Sequence, residues 1–551
     1  MPRIHLVSNL PGVSALGDHL RAAGLGPTSA RSADALLVLI DRPLDSVEQE
    51  LLDRARQSVP VLLAGPTVRA LPSDSPLVEA SGLIPGHTTP AHELRVTVGP
   101  NGAQVAARMG DFRPVDSWVV PDKIADDVER LLVVQHSLTE YPVCTWRPST
   151  GLGMFTLGST ASTLADPAYH RLVGRWLRHT LGVHDAEPVG VGLLGAPGMP
   201  GAHHQSAVEA TEGLNLVAVS GTGRAAGARS GEGQARSYDE PDGLIADADV
   251  RLVIIGTPNN TRAQWAARAL EAGKDVVIPS PFALSTQEAD DLALLAAARS
   301  SLLATYPERR EDPAYQSLRA AVRSGAIGDV LSVEIAHGGY NRPSGGWRDD
   351  ERASGGLIHD RAAGHLDWVL DLVDEPVEWV TATAQKRVWH HVTNADHARV
   401  LLRFASGAEA QVTVSDLLAV PTARLHVLGT TGSIFGDDPA MAALATGTPA
   451  ETAPADTWSR AGGRHAGRNG DGAPYTPLSA GPLTVVSHDG TRTRLPLPAG
   501  PAHPFYRDLT DALLSGWPLT SYRVEAARRV VAVAEAATRS AGGGGVQIGP
   551  A

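Results

Sequence analysis

The sequence predicts an α/β protein in three parts: an N-terminal three-layer α/β domain, a doubly wound parallel sheet, and an α+β domain with an open, mainly antiparallel sheet. Three observations carry this reading. Continuous apolar runs alternate with helical stretches up to about Val183. The same pattern restarts at Val189 behind a short polar linker, and from Val330 the runs change to the alternation of half-buried strands.

In the first part Ala35–Ile40 reads as a buried parallel strand, Ser46 caps a helix running to Gln57, and Val59–Ala64 is the next strand, ending at Gly65-Pro66. Glu93–Val98 reads as a strand beside the turn Gly99–Gly102, Gly153–Gly158 as another, and Asp166-Pro167 opens a helix to about His179. His184–Pro188 is the linker. Beyond it, Val189–Leu194, Leu214–Val219, Val250–Ile255 and Asp275–Ile278 are strands separated by helices, and βαβ units of that length demand a parallel sheet. Val330–Ile335, Ala398–Phe404, Ala408–Val414 and Arg424–Leu428 form the open sheet, with a hairpin turn at Ser406-Gly407. Residues 442–480, rich in Gly, Ala, Pro and Thr, read as a mobile loop, and helices over Phe505–Ser515 and Glu525–Ala541 close the chain. The expected domains are 1–184, 188–310 and 311–551.

Composition narrows the function. With 60 acidic against 47 basic residues the formal net charge is -13, the wrong sign for a nucleic-acid partner. The N-terminal MPRIHLVSN lacks the pattern of a secretory leader, and no apolar run reaches the length of a membrane span, so a cytoplasmic location is expected. Cys144 is the only cysteine, which excludes an intrachain disulfide and a cysteine-rich metal site. Within the strand-like Tyr141–Trp146 it is expected to be a buried, inert thiol. The histidines of His390-His391 with His397, and of His203-His204, are not expected to share a metal, since adjacent strand positions face opposite ways. The lysines are Lys123, Lys274 and Lys386 alone, which leaves few candidates for a catalytic amine.

Several motifs then fall in a telling order: VGVGLLGAPGMPG at Val189–Gly201, Gly256-Thr257-Pro258-Asn259, Leu270–Val277, Asp312–Tyr315, Gly328-Asp-Val330, Trp347-Arg348, Gly355-Gly356 with Asp360, and Phe505–Leu509. In this order residues 188–541 resemble the Gfo/Idh/MocA family, named for glucose–fructose oxidoreductase and inositol dehydrogenase. The resemblance implies a Rossmann domain joined to an open-sheet domain, NAD or NADP as cofactor, a sugar, polyol or related substrate, and a cleft at the carboxyl ends of the parallel strands. It places Gly195, Gly198, Gly201, Thr222, Arg224, Thr257, Pro258, Asn259, Ser280 and Pro281 at the cofactor, and Asp360, His359, His365 and Asp367 at the chemistry. Residues 1–183, through Leu83–His87 with His92-Glu93, Tyr141–Val143, Gly151–Phe155 and Asp166–Tyr169, resemble the ThuA-like group related to class I glutamine amidotransferases. The turn Leu63–Pro66, where that wider class carries its nucleophilic cysteine, has none, so glutamine hydrolysis is not expected.

The family signature is altered in three places. An ungapped G-x-G-x-x-G puts Pro197 and Pro200 where the second and third glycines belong, and proline removes an N–H donor. The second parallel strand ends Ser220-Gly221 with no carboxylate for a ribose, while Arg224 is suited to a 2′-phosphate, so NADP is favoured over NAD. The family's Glu-Lys-Pro triplet is Pro279-Ser280-Pro281 here, and a serine cannot replace the ammonium. In the run His359–Asp367 the family's aspartates match Asp360 and Asp367, but Gly364 stands at its histidine and His365 is displaced by one residue. The expected function is therefore an NAD(P)-linked oxidoreductase of a sugar-like substrate with atypical proton-transfer groups, Asp360 foremost. The alternative is a family member without redox chemistry: a lyase, hydrolase, isomerase or sugar-binding partner. A homo-oligomer formed through the open sheet is also expected.

Overall fold

The computed structural model describes residues 2–10, 13–22, 25–29, 32–107, 109, 112–136, 139–183, 187–195, 201–221, 235–340, 342–418, 425–436, 483–496, 503–515, 519 and 522–550. Gly198, Thr222 and Arg224, residues 184–186 of the linker and the expected loop over 442–480 lie outside them. The chain divides into two compact units: Met1–Pro188 with Gly500–Ala502 and Arg507–Pro518, and Val189–Ala499 with His503–Tyr506 and Leu519–Ala551.

The first unit contains β1 (Arg3–Ser8), β2 (Gly26–Pro27), β3 (Ala35–Leu39), β4 (Val61–Ala64), β5 (Leu83–Thr88), β6 (His92–Glu93), β7 (Val96–Val98), β8 (Val115–Asp116), β9 (Val119–Ile124), β10 (Glu129–His136), β11 (Thr139–Arg147) and β12 (Leu152–Phe155). Its main sheet runs β2-β1-β3-β4-β12-β11-β10-β7. The pairs from β2 to β12 are parallel and those beyond are antiparallel. β3 and β4 are buried along their whole length, as their unbroken apolar sequence requires. The helix expected from Ser46 is capped one residue earlier and ends sooner. Asp45 accepts from the Glu48 amide, Glu48 returns a bond to the Asp45 amide, and the helix spans Ser46–Ala55. Cys144 lies in β11, fully buried, and burial pushes its thiol pKa up. Arg507–Pro518 joins this unit through ion pairs: Arg175 to Asp511 at 2.5 Å, both nearly inaccessible, and Arg171 to Asp508 at 2.9 Å.

The second unit begins with six parallel strands: β13 (Val189–Leu194), β14 (Leu214–Ser220), β15 (Arg236–Tyr238), β16 (Leu252–Ile255), β17 (Asp275–Pro279) and β18 (Leu303–Tyr306). Their order is β15-β14-β13-β16-β17-β18, so the chain reverses its direction of growth between β13 and β16 and leaves a crevice at their carboxyl ends. The sheet that follows comprises β19 (Val330–Gly338), β20 (Val377–Gln385), β21 (His397–Phe404), β22 (Glu409–Ser415), β23 (Leu425–Gly429), β24 (Gly432–Gly436), β25 (Leu483–Ser487) and β26 (Arg492–Arg494). Its order is β20-β21-β22-β19-β23-β24-β25-β26, antiparallel except for the internal pair of β19 with β22. Gly407, at φ 91°, makes the tight turn between β21 and β22.

One helix, Val524–Gly542, serves both halves of this unit. Ala527 and Val531 pack into the core of the parallel sheet, while Val530, Val533, Ala534 and Ala537 pack into the core of the open sheet. Spacings of three and four residues give the helix two adjacent apolar stripes. The histidines His390 and His391, expected at adjacent strand positions, instead lie in a turn after β20. The Asp396 carboxylate folds that turn by accepting from the amides of Arg387 at 2.5 Å and Val388 at 2.6 Å. Among the described residues no three His, Cys, Asp or Glu side chains converge to hold a metal, and no helix is long and apolar enough to cross a membrane.

Candidate functional site at the carboxyl ends of the parallel strands

The crevice is formed by backbone at close quarters. Gly195 follows β13 at φ 130°, its amide donates to Ser220 O at 2.7 Å, and a Cβ there would stand 2.5 Å from Gly256 O. No other residue fits, so the chain can approach a ligand closely at this turn. Gly201 begins the helix Gly201–Glu209 beyond it. On the other side of the crevice Thr257 and Pro258 lead into the helix Asn259–Glu271.

Three buried polar atoms at these strand ends have no hydrogen-bond partner among the described residues: Ser220 Oγ, Thr257 Oγ1 and Asn259 Oδ1. The Asn259 amide orientation is set by its neighbours. Its Nδ2 donates to Ser354 O at 2.8 Å and to Asp360 Oδ1 at 3.2 Å, both pure acceptors, so Oδ1 is left as an acceptor wanting a donor. An unmet buried acceptor costs about 1–3 kcal/mol, which a ligand N–H or O–H would recover.

Below Asn259 the chain enters a single π turn, Ile358–Ala362, before the helix Ala363–Val373. Such a turn inserts one residue into the helical register and recurs at functional sites. Asp360 sits in it with its side chain almost fully buried, and Arg348 donates to its Oδ1 at 2.6 Å. His359, also buried, places Nδ1 3.0 Å from Gly355 O. That carbonyl can only accept, so Nδ1 carries the proton and Nε2 is a bare acceptor without a partner among the described residues. Burial lowers the pKa of this ring, which is neutral near pH 7.

Of the other expected groups, Asp367 is tied up in an ion pair, and His365 is packed among aromatic rings with neither ring nitrogen partnered among the described residues. His365 is inaccessible, 4.9 Å from the His337 ring and edge-on to Trp368, and burial drives its pKa well below the usual value. Asp367 is held by Arg310 through paired bonds of 2.6 and 2.7 Å, although burial pushes its pKa up. At Gly364, where the family has histidine, a Cβ would lie 2.6 Å from Cδ of Arg309, so an arginine stem fills that space. Ser280-Pro281 is a cis peptide at the end of β17. Lys274 binds the carbonyls of Asp247 and Val250, at the opposite end of the sheet from the crevice. Lys386 donates to Asn394 O at 2.7 Å, and Asn394 Nδ2 lies 3.2 Å from Ser354 Oγ, which brings this lysine into the loop cluster around Ser354 but not onto Asp360.

A further residue escaped the sequence reading. Arg262 is 1% exposed, and its guanidinium donates to Thr257 O, Pro279 O and Pro281 O at 3.0–3.1 Å. It ties the ends of β16 and β17 together. The only local sign was a charged residue on the inward face of the helix Asn259–Glu271.

A six-stranded parallel sheet with a switch point, followed by an open sheet whose preceding helix reaches the strand ends, defines a dinucleotide-fold oxidoreductase. Residues 189–306 match the oxidoreductase family with NAD-binding Rossmann fold, and residues 315–435 match the GFO/IDH/MocA C-terminal domain. The chain is 30% identical over 263 residues to inositol 2-dehydrogenase of Rhizobium meliloti, covering 46% of this chain and 78% of that protein. This chain belongs to the Gfo/Idh/MocA oxidoreductase family. It is also 30% identical over 219 residues to an uncharacterized oxidoreductase of Schizosaccharomyces pombe, spanning 38% of this chain and only 60% of that relative. A NAD-binding protein from Listeria innocua, 22% identical, shares the fold with a TM-score of 0.52 over 66% of this chain and 97% of its own.

Proposed function

We propose that the chain is an NAD(P)-linked oxidoreductase acting on a sugar or sugar-like polyol, with the adjacent residues His359 and Asp360 serving the reacting hydroxyl. The observation that carries the proposal is the set of unmet buried polar atoms at the strand ends, Ser220 Oγ, Thr257 Oγ1 and Asn259 Oδ1, beside a glycine turn that admits close approach. A nicotinamide nucleotide bound there supplies the hydride acceptor. The turn at Gly195 would hold its phosphates, and Asn259 would offer its free acceptor while its amide nitrogen steadies Asp360. Arg348 fixes one oxygen of Asp360 and leaves the other for a substrate hydroxyl. NADP is preferred because Gly221 brings no carboxylate against a 2′-phosphate and Arg224 follows in sequence. The kinship with an inositol dehydrogenase supports a polyol substrate.

Calorimetric titration of the full chain with NADP and NAD tests this. NADP should bind more tightly, and Asn259→Ala should weaken it about 10-fold, as expected for a lost buried hydrogen bond. Binding of neither nucleotide would favour the non-redox reading, which draws its support from Ser280 and Gly364 at the family's lysine and histidine positions.

The first unit is proposed to be ThuA-like. Support comes from its parallel strands and from the sharp turn after β4, where Gly65 takes φ 56° and a Cβ would stand 2.6 Å from Gly158 O. A cysteine nucleophile has no room there.

A further inference from the structure

A small cavity lies between β17, β18, the π turn and the helix Val524–Gly542. Its wall includes Ser280, Thr305, Pro307, His359, Asp367 and Ala534. It has room for a single water molecule. Most of the wall is apolar, but one imidazole on it is 4% exposed and has Nε2 unmet. The same ring is oriented by its other nitrogen, which donates to Gly355 O and lies 3.4 Å from Thr538 Oγ1. The cavity thus combines a volume that fits water with a fixed, buried acceptor and residues that bear hydroxyls.

We infer that this cavity holds one ordered water linking Ser280 to His359, and that the chain Ser280–water–His359 carries the substrate proton away from the strand end. The inference rests on the oxidoreductase reading. It gives Ser280 a part that does not require it to ionise. A bound nicotinamide would take the hydride of the alcohol, and the proton of its O–H bond is then left for the protein to remove. The released proton binds Ser280 Oγ while that hydroxyl passes its own proton to the water. The water in turn gives a proton to His359 Nε2, which becomes an imidazolium. The Gly355 and Leu284 carbonyls and the Glu535 carboxylate favour the imidazolium against burial, while Asp367, on the same cavity wall, is already paired with Arg310. The site of the family's lysine is thereby bridged by a relay instead of an amine. Asp360, with one oxygen held by Arg348 and Asn259, orients the substrate hydroxyl.

The test uses the full chain and does not depend on turnover. Nitrogen NMR of the histidine rings should show His359 as the Nδ1–H tautomer, and Ser280→Ala should shift its Nε2 resonance. A high-resolution crystal structure should show one water within hydrogen-bond distance of Nε2. A protonated Nε2, a resonance indifferent to Ser280→Ala, or a dry cavity would each overturn the inference. With NADP and inositol as the probe, His359→Gln should lower kcat by about 100-fold with little change in KM or nucleotide affinity. An unchanged kcat would also overturn it. If no nucleotide binds, the oxidoreductase reading fails, while the tautomer and the water still decide whether the relay exists.

Discussion

The parallel sheet of the first unit and that of the second end on the same steric device. At Gly65 and at Gly195 the backbone takes positive φ, and the space of a side chain is occupied by the carbonyl of a neighbouring glycine, Gly158 in one case and Gly256 in the other. What lies beside the two turns is opposite. Next to Gly65 the buried carboxylate of Asp116 collects the amides of Gly158 at 2.6 Å, Ser117 at 2.8 Å and Ser159 at 3.1 Å. The first unit has thus closed its strand ends with an acid of its own. Next to Gly195 the polar atoms of Ser220, Thr257 and Asn259 await a partner. The same glycine turn seals one sheet and opens the other, and the difference lies in whether the chain brings its own anion.

The largest effect should come from unsealing the first unit. Asp116→Ala leaves three amides without their acceptor, at about 1–3 kcal/mol for each that stays buried and dry. Denaturant unfolding of the full chain should show its first transition moved down by several kcal/mol while nucleotide affinity is unchanged. A wild-type unfolding curve would mean that the carboxylate does not close these strand ends.

At the open end, Gly195→Ala sets a methyl group 2.5 Å from Gly256 O at a φ that side chains rarely adopt. A strained backbone of this kind costs about 1–3 kcal/mol. Nucleotide binding should be lost, with the fold retained by circular dichroism. If Gly195→Ala binds NADP as tightly as the parent, the crevice is not where the phosphates lie.

These glycines were legible because each ends an apolar run. The parallel strands were legible for the same reason, and the cap at Asp166 follows from its place before a proline. The contact between Arg309 and Gly364 was not, because it joins residues 55 apart, and no local pattern announces what fills a missing side chain. The π turn at Ile358–Ala362 was equally hidden. It inserts one residue without a proline or glycine inside it, so a plain helix fits the same letters. β20 escaped because Thr and Ala dilute its alternation, and β25 and β26 because they are short, five and three residues.

The smallest effect sharpens the contrast between satisfied and unsatisfied buried groups. His365 is neutral in the folded chain down to well below pH 6.5, whereas in the unfolded chain it takes up a proton near that value. The unfolded state therefore binds more protons as pH falls. Stability is complete above pH 6.5 and declines below it, by up to about 1.4 kcal/mol per pH unit from this group. His365→Leu should flatten the dependence of the unfolding midpoint between pH 7.5 and 5. Equal slopes in the two proteins would mean that the ring finds a proton-accepting partner when folded.

The helix Val524–Gly542 has a consequence for the order in which the protein is made. The parallel sheet is complete in sequence at Tyr306, yet Ala527 and Val531 belong to its core. A chain emerging from the ribosome at about 5–20 residues per second reaches those positions tens of seconds or less after the last strand has appeared. Through that interval the sheet stands with one apolar flank uncovered. Apolar surface exposed in that interval is the kind on which partly folded chains associate, and the arrival of this helix covers it.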